Sequence, residues 1–571
     1  MAMKRVQAIL LAILLPFCGL QTSYAQEEHR ALIIPVKFND LQISASAETL
    51  DSLSAELSKY FNAQFRDSIS FVFDVSREVL VNGSYTTFGA NQSFRRDALA
   101  HKMALTIYKT LYDQTDFSIY DNDRDGYVND IILFTPGISE SAGGGENQFW
   151  PQYIELENKD IPYSLRIRLK GFAIAPEMNA AGETAGINIM AHEFGHILGL
   201  KDMYDTDDES SGGTCPGLGI TSLMDIGLEN DGGNTPPNLN AIEREILGNG
   251  RCELLDSAGL YTLEPIHLNG RYFKLPSQGE SRYYLIENRR AEGYDAHIGG
   301  EGMLIYKVDK SESYAGYSSY YQRTLTALER WQLNQVNCNP DFPCAELIPA
   351  KVDSLDKSAV FWPKEGSATF SPERLALTDI RKDADGIISF KAVEPVRIEE
   401  ILVYQTSATV CWVISDELGP VDSCKIEWSA PNSEAVAGNG IPGADGRYRF
   451  TITGLSPRTT YNYNASVYYS SGASYSSRGV FTTRIYRKGI FRFIYLADAG
   501  RNRDGSFQQG AVIPLVVYNN VDDPVSWTFN GNPIAPGPDG QWAIPGDGVL
   551  RAEIFNKDGS KDVIVKEIRV K

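Results

Sequence analysis

Positive charge is scarce in this sequence. Lysine and arginine number 53 against 73 aspartates and glutamates, so the formal net charge is −20. A field of this sign repels nucleic acid and anionic membrane surfaces, and we expect neither as a partner. Hydrophobic residues make up 43% of the chain and charged residues 22%, which is ordinary for folded proteins. The length of 571 residues therefore predicts several folded domains.

Long apolar runs are also lacking beyond the N-terminal segment. No later stretch is long enough to span a bilayer, so a transmembrane segment is not expected. The N-terminus has the pattern of a secretory signal peptide, in which a basic start precedes an apolar run over 6–15 and the small-residue sequence Ser-Tyr-Ala stands at 23–25. We predict a signal peptide over 1–25 and an exported protein, located extracellularly, at the cell surface or in the periplasm.

Cysteine is sparse, with seven residues in all. Loss of Cys18 with the signal peptide leaves six, and an even number in an exported chain is typical of disulfides. Spacing favours a bond between Cys338 and Cys344, and buried free thiols are the alternative interpretation. Two further pairings are weaker predictions: Cys215 with Cys252, and Cys411 with Cys424.

Periodicity divides the mature chain into four segments. Residues 26–250 alternate between strand-like and helix-like patterns, whereas 251–394 read as strands and turns. No flexible linker separates these two segments, so the second is predicted to extend the first. The clearest predicted elements are strands at 31–36, 131–134, 283–287 and 302–306, and helices at 54–65 and 96–111.

The last two segments, 395–485 and 486–571, are predicted to be all-β and sandwich-like. In the former, alternate residues from Tyr461 to Tyr469 are apolar, the period of a half-exposed strand. The run Gly-Leu-Ser-Pro-Arg-Thr-Thr-Tyr at 454–461 resembles the tyrosine corner of a fibronectin type III domain. In the latter, Asn530-Gly531 after an apolar run predicts a tight hairpin.

Histidine is rare, with six residues, and two of them stand four apart at His192 and His196. Apolar spacing over 187–198 predicts a buried helix, on which positions four apart share one face. Two imidazoles placed in this way can bind one Zn²⁺ ion. Glu193 is then positioned to accept a proton from water as the general base. The alternative is a helix with two hydrogen-bonded core histidines.

The residues after this helix predict a third ligand. Gly199 tolerates positive φ, so the helix can end there and the chain can turn sharply. Asp202 can then return to the metal. Three protein ligands leave one zinc position open for water, which distinguishes a catalytic site from a structural one.

The run from His192 to Asp202 resembles H-E-x-x-H-x-x-G-x-x-D, the metzincin motif with aspartate as third ligand. The sequence Thr-Ser-Leu-Met-Asp at 221–225 resembles the Met-turn, whose methionine, here Met224, lies beneath the zinc. The run 200–205 resembles the immune inhibitor A-like bacterial metallopeptidases. Further similar runs lie at 120–128, 143–145 and 284–289, so that the resemblance spans 30–394.

Two positions depart from the pattern that the resemblance implies. Lys307 stands where the family often has histidine, which weakens any metal or substrate role there. Ile226 stands where many metzincins have a tyrosine that stabilises the oxyanion. The donor for that purpose is therefore unidentified, and Tyr204 is a candidate.

Aspartates recur at alternate positions before a glycine in 121–127, as in the opening of an EF-hand loop. Side chains of Asp121, Asp123 and Asp125, with the Tyr127 carbonyl, would suit a structural Ca²⁺ ion. The bidentate glutamate of such loops is missing, and Asp130 is proposed as its substitute. A solvated acidic turn is the alternative.

These patterns predict a multidomain protein with an α+β metzincin-like zinc peptidase domain, a β-rich extension and two all-β sandwich-like domains. The predicted function is a secreted zinc endopeptidase acting on extracellular proteins or peptides, with Zn²⁺ as catalytic and Ca²⁺ as structural ion. The competing function is a surface adhesin or binding protein with a non-catalytic zinc fold. In either case the β domains are candidates for binding proteins or glycans. Intact Glu193 favours the enzyme.

Overall fold

A computed structural model describes residues 27–571 with gaps at 67, 93–95, 159, 162–164, 278, 353–355, 365–367, 373–374, 485–491, 498–499, 521, 539 and 558. The predicted signal peptide, with Cys18, lies outside the described residues. Within the described ranges, no helix combines the length and apolar character needed to cross a membrane.

The chain divides into two compact units. The first takes in the described residues up to Glu253, together with Glu264–Lys274 and Tyr284–Phe361. The second consists of Leu254–Leu263, Leu275–Tyr283 and Trp362–Lys571. The segment predicted over 251–394 thus contributes to both units.

The N-terminal part of the first unit alternates strands and helices. Its strands are β1 (Glu27–Phe38), β2 (Ile69–Val75), β3 (Val79–Val81), β4 (Tyr127–Val128), β5 (Ile131–Ile138), β6 (Gln152–Glu155), β7 (Arg168–Leu169) and β8 (Gly171–Met178). Its α-helices are α1 (Ala47–Phe65), α2 (Tyr85–Phe88), α3 (Ala100–Leu111), α4 (Asn188–Leu198) and α5 (Ala241–Leu247).

A six-stranded sheet forms the centre of this part. Its order is β2-β1-β5-β8-β6, with β3 beside β1; the strands are parallel except β6, which runs antiparallel to β8. Residues of β1 and β5 are buried in unbroken runs because both faces of the sheet are covered. Met103 and Ile107 of α3 join the core on one face. On the other, Phe194 of α4 contacts Phe61 of α1 and Phe73 of β2, at ring-centroid distances of 5.0 and 4.7 Å.

Residues 251–393 form short sheets. The strands are β9 (Arg251–Leu254), β10 (Gly259–Leu263), β11 (Arg271–Ser277), β12 (Gly279–Arg289), β13 (Gly302–Asp309), β14 (Tyr314–Ser318), β15 (Arg323–Thr326), β16 (Ala345–Leu347), β17 (Ala376–Lys382) and β18 (Ile388–Val393), with helices α6 (Ile266–Asn269) and α7 (Ala327–Gln332). The sheet orders are β16-β13-β12-β11-β9, β10-β18-β17 and β14-β15.

Residues 396–482 form a sandwich of two four-stranded antiparallel sheets. The sheet orders are β19-β20-β24-β23 and β22-β21-β25-β26, from strands β19 (Val396–Val403), β20 (Ser407–Ile414), β21 (Val421–Ser429), β22 (Val436–Asn439), β23 (Ile441–Pro442), β24 (Tyr448–Thr453), β25 (Thr460–Tyr469) and β26 (Ser474–Thr482). Trp412 is fully buried between the sheets. The Tyr461 hydroxyl accepts the Ser456 N–H at 2.9 Å, so the predicted tyrosine corner is confirmed.

The C-terminal residues form a smaller all-β core. The strands are β27 (Phe493–Tyr495), β28 (Val512–Pro514), β29 (Val516–Tyr518), β30 (Val525–Phe529), β31 (Asn532–Ile534), β32 (Gln541–Ala543), β33 (Gly548–Phe555) and β34 (Lys561–Ile568). The predicted hairpin is confirmed: β30 and β31 pair across Asn530 and Gly531, whose φ angles are 49° and 80°. Both values suit a type I′ turn.

The predicted disulfides are not found: all six cysteines in the described part of the chain are free thiols. Cys338 Sγ instead lies 3.0 Å from the Thr206 hydroxyl, and Cys344 Sγ points to the Phe342 carbonyl. Cys215 is buried whereas Cys252 is exposed. Cys411 and Cys424 lie on β20 and β21, which belong to opposite sheets.

Candidate metal centre

Helix α4 carries the two histidines and ends where the glycine predicts. Gly199 has φ 107°, and its N–H donates to the carbonyls of Gly195 and His196. The Leu200 N–H returns to the Gly195 carbonyl at 2.9 Å, which closes a Schellman-type end. A side chain at 199 would meet no other atom within 4 Å, so the backbone angle alone requires glycine there.

The two imidazoles are oriented by main-chain carbonyls. His192 Nδ1 lies 2.9 Å from the Leu223 carbonyl oxygen, and His196 Nδ1 lies 3.1 Å from that of Leu200. A carbonyl oxygen only accepts, so each Nδ1 is the protonated nitrogen and each Nε2 is available as a ligand. The ring planes are nearly perpendicular, at 88°, with centroids 4.9 Å apart.

Asp202 completes the group. Its Oδ1 lies 3.2 Å from His192 Nε2 and 3.1 Å from His196 Nε2. Asn334 holds the other side of the aspartate: its Nδ2 donates to Asp202 Oδ2 at 2.6 Å, and its Oδ1 accepts the Asp202 N–H at 2.8 Å. The amide therefore fixes which carboxylate oxygen faces the histidines.

The dimensions of this group fit a small divalent cation. Ligand atoms bonded to a tetrahedral ion at 2.0–2.1 Å lie about 3.3 Å apart, close to the two separations observed. Asp202 Oδ1 is buried without a hydrogen bond, although it is a carboxylate oxygen. Burial acts to raise the pKa of Asp202, but the two imidazoles in their protonated form outweigh it and hold that pKa far below its usual range. The carboxylate is thus ionised and ready to bind a metal.

Glu193 follows the first histidine and is 3% exposed. Its Oε2 has no hydrogen-bond partner among the described residues. Burial raises the pKa of Glu193 to about 8 in the metal-free protein, while the charge of His192 lowers it. A buried carboxylate of this kind is suited to proton transfer.

Met224 lies directly below the helix. A Cβ at Gly195 would come within 2.9 Å of Met224 Sδ, so the sulfur approaches the helix backbone closely. Glu243 braces the turn by accepting the Ser222 hydroxyl at 2.7 Å and the Met224 N–H at 3.2 Å. Met224 therefore lies against the helix at Gly195, a residue that falls between His192 and His196 in the sequence.

The position two residues after Met224 carries no donor, since it is Ile226, whose side chain is 44% exposed. Tyr204 lies beside the histidines, with its ring centroid 6.4 Å from that of His192. Burial raises the pKa of Tyr204 well above its ordinary value, so its hydroxyl keeps its proton.

In the predicted calcium loop, the aspartate side chains form hydrogen bonds with the backbone of the loop itself. Carboxylate oxygens of Asp121, Asp123 and Asp125 lie within 4.8 Å of one another, and all three carboxylates accept N–H groups of the loop. Asp130 faces elsewhere: its Oδ1 lies 2.7 Å from His29 Nε2, and its Oδ2 accepts the Asn122 amide at 3.1 Å. Tyr127 begins the short strand β4.

Sequence reasoning did not find Asn334, Glu243 or Asp225. Asp225 accepts the N–H groups of Leu218 and Gly219 and thereby shapes the methionine turn. Glu243 had a local signal, since it closes a capping box with Asn240 at the start of α5. Asn334 had none, because it lies 132 residues from its partner in the chain.

Comparisons with known proteins relate the part of the chain that carries this group to one peptidase family. Residues 37–249 match the family model described as immune inhibitor A peptidase M6, catalytic domain. Immune inhibitor A of Bacillus thuringiensis subsp. alesti is 26% identical over 182 residues, which cover 26% of this chain and 25% of that protein. Pre-pro-metalloprotease PrtV of Vibrio cholerae serotype O1 (strain M66-2) is 27% identical over 154 residues, which cover 24% of this chain and 16% of that protein.

The chain therefore spans a quarter or less of these curated relatives. Fibronectin(III)-like modules of Clostridium thermocellum CbhA align over 31% of this chain and 94% of their own, at 13% identity and a TM-score of 0.20. Because this TM-score is low, the sandwich over 396–482 is assigned from its own strand pairing and not from the CbhA modules. For the N-terminal part, the family match and the His192–His196–Asp202 group lie in the same stretch of chain: residues 37–249 are similar to the catalytic domain of the immune inhibitor A peptidase family, whose members include metalloproteases.

Proposed function

We propose that this chain is an exported zinc endopeptidase that hydrolyses peptide bonds of extracellular proteins. The observation that carries the proposal is the convergence of His192 Nε2, His196 Nε2 and Asp202 Oδ1 beside the buried carboxyl of Glu193. Two imidazole nitrogens and one carboxylate oxygen are a donor set typical of catalytic zinc. When bound, this ion polarises the scissile carbonyl and makes water acidic near neutral pH.

Glu193 is proposed as the group that moves the proton. Its unpartnered Oε2 can accept a proton from the attacking water and release it to the leaving amine. A cation held by the neighbouring ligands favours the ionised form that a general base requires. The hydrogen bonds of both Nδ1 atoms to carbonyls keep the imidazoles in place during this transfer.

Strand β6 is proposed to align the substrate backbone. It is the last strand in the sheet order, and β8 lies on its other side, so one edge pairs with no strand in the described ranges. An extended peptide can add to such an edge through main-chain hydrogen bonds. The strand also packs near α4, which carries the metal ligands.

Tyr204 is proposed as the donor to the oxyanion. Its protonated hydroxyl and its place beside the His192 ring support this role, and Ile226 offers no competing donor. Because removal of one oxyanion donor costs about 10²–10³ in kcat, Tyr204→Phe should lower kcat by that order with KM little changed.

The finer architecture also belongs to the proposal. A helix, a glycine turn, a third ligand and a buried methionine turn follow one another, which supports a metzincin-like domain over 26–250 with an extension over 251–394. Sandwich-like domains over 395–485 and 486–571 complete the chain. The signal-peptide pattern supports export. A structural Ca²⁺ ion is proposed at Asp121, Asp123 and Asp125, whose carboxylate oxygens lie within 4.8 Å of one another.

The proposal is tested by metal analysis and proteolysis on the same preparation. Wild type should carry one zinc per chain and cleave casein, and a chelator should stop cleavage. Glu193→Ala should retain zinc and lose activity by about 10²–10⁴-fold. Glu56→Ala, an exposed change on α1, is the matched control and should keep both. Stoichiometric zinc with no cleavage by wild type would contradict the enzyme and favour the adhesin.

A further inference from the structure

A cavity of about 1090 Å³ lies in the first unit. Its walls include β6, the turn before α3, and residues 206–208, which begin four positions after the ligand Asp202. The charge of Arg96, on its wall, acts on the hydroxyl of Tyr204 beside His192. The cavity is therefore within reach of a peptide that is bound at the metal centre.

Acidic side chains dominate the lining. Two cationic side chains, Arg96 and Lys102, face six carboxylates: Asp97, Glu155, Glu157, Asp160, Asp207 and Asp208. Arg96 is engaged in part, because its guanidinium lies 3.9 Å from the centre of the Trp150 ring. Glu155 is paired with Lys170 at 2.8 Å. The remaining lining still has an excess of negative charge.

Asp97 is the feature that points to a ligand. Its side chain is 2% exposed, and its Oδ2 accepts the N–H groups of Trp150 and Gln152 at 3.0 and 2.5 Å. Its Oδ1 has no hydrogen-bond partner among the described residues. Burial raises the pKa of Asp97 to about 7 despite these hydrogen bonds, so a cation bound beside Oδ1 would favour the ionised carboxylate.

A second carboxylate repeats this pattern. Asp207 Oδ2 accepts the Ser211 hydroxyl, whereas Asp207 Oδ1 is buried without a partner. Tyr320, 73% exposed, lines the same cavity and offers an aromatic face, which attracts cations. Ile154 and Leu156 add apolar wall.

We infer that this cavity is a subsite for a lysine or arginine side chain of the substrate. The inference rests on the proposed peptidase function and adds a substrate class to it. A basic side chain brings a cation on an apolar stem, which suits acidic groups set among apolar and aromatic walls. The volume leaves ample room for a long basic side chain.

The test compares paired peptides that differ at one position, lysine against norleucine and arginine against citrulline. At about pH 8, where Asp97 is ionised, wild type should show kcat/KM at least about fivefold higher for the basic member, the size of a partly screened ion pair. Asp97→Asn and Asp208→Asn should each bring this ratio toward one. Asparagine tolerates the φ angles of 45° and 49° at these positions.

Asp51→Asn is the matched control, because it removes one exposed carboxylate on α1 outside the cavity and should leave the ratio unchanged. Binding to Glu193→Ala, followed by fluorescence anisotropy of labelled basic and neutral peptides, gives a readout without turnover. Equal binding, or equal kcat/KM in wild type, would overturn the subsite. Preferential binding of the basic peptide with no cleavage by wild type would instead overturn the peptidase function and leave the subsite standing.

Discussion

At the scale of single residues, Asn334 is the side chain that holds Asp202, the proposed third ligand. It holds both the backbone N–H and one carboxylate oxygen of Asp202. Loss of a group that orients a metal ligand typically costs 10–100-fold in affinity. We predict a loss of about this size, 10–100-fold, in zinc affinity for Asn334→Gly, measured by competition with a chromogenic chelator.

Glycine is chosen because Asn334 has φ 56°, which alanine would adopt only with strain. Asn432→Gly is the matched control: it has φ 60° and is exposed in the sandwich at 396–482. Its zinc affinity should equal that of wild type. Unchanged affinity in the Asn334 variant would show that Asp202 does not need the amide, or does not bind the metal.

Local spacing was sufficient to propose His192, Glu193 and His196, because one helical turn brings them together whatever the rest of the chain does. Asp202 needed one further step, the turn that Gly199 permits. Asn334 could not be predicted, since nothing local to it indicates a contact that forms only when the β-rich segment packs on the loop after α4.

At the scale of elements, Gly199, which ends α4, affects both the stability of the fold and the position of Asp202. The two effects can be measured separately. Gly199→Ala should lower the free energy of unfolding by about 1–2 kcal/mol, the cost of a left-handed backbone for a residue with a Cβ. It should also weaken zinc binding, because relaxation of the turn moves Asp202. Chemical denaturation and zinc titration measure the two effects.

Gly248→Ala offers a matched control for this change. Gly248 ends α5 with φ 68°, and an added Cβ there also meets nothing within 4 Å. We expect a similar loss of stability with no change in zinc affinity. If both variants bound zinc like wild type, the turn at 199 would not position a ligand.

Element bounds could be predicted only in part from sequence. The helix predicted from residue 54 begins at Ala47, where Ser46 caps the first turn by accepting the Thr49 N–H. The helix predicted from residue 96 begins at Ala100, because the preceding turn holds Asp97 at φ 45°. Long apolar strands were easier to predict, since burial of both sheet faces leaves an unbroken run of apolar residues in the sequence. The disulfide predictions rested on sequence spacing, which does not fix the distance between two cysteines in the fold.

At the scale of the whole molecule, the metal centre joins segments distant in sequence: helix α4, the loop to Asp202 and the segment around Asn334. A ligand that binds only the folded state stabilises it by about 4 kcal/mol at a thousandfold excess over Kd. We therefore predict that a chelator lowers the midpoint of thermal unfolding and that added zinc restores it. Glu56→Ala should respond like wild type, and a midpoint indifferent to chelation would contradict the centre.

Stability should also depend on pH through Asp97. Burial raises its folded pKa from 3.8 to about 7, so the folded state binds the proton more tightly than the unfolded chain. Stability is therefore lost as pH rises between these values. Asp97→Asn removes this loss, and relative to wild type it should gain on the order of 2–3 kcal/mol between about pH 5 and about pH 8. Urea denaturation at both pH values measures the gain, and a difference independent of pH would contradict it.

The three proposed ligands are held in place by groups that differ in how easily a mutation removes them. Carbonyl groups of Leu223 and Leu200 aim the imidazoles, and every amino acid supplies a carbonyl at those positions. An amide side chain aims Asp202, and a single nucleotide change can remove it. Random mutation should therefore remove the support of Asp202 before that of the histidines. Damaged variants should keep the histidine pair in place, whereas Asp202 should lose its fixed position.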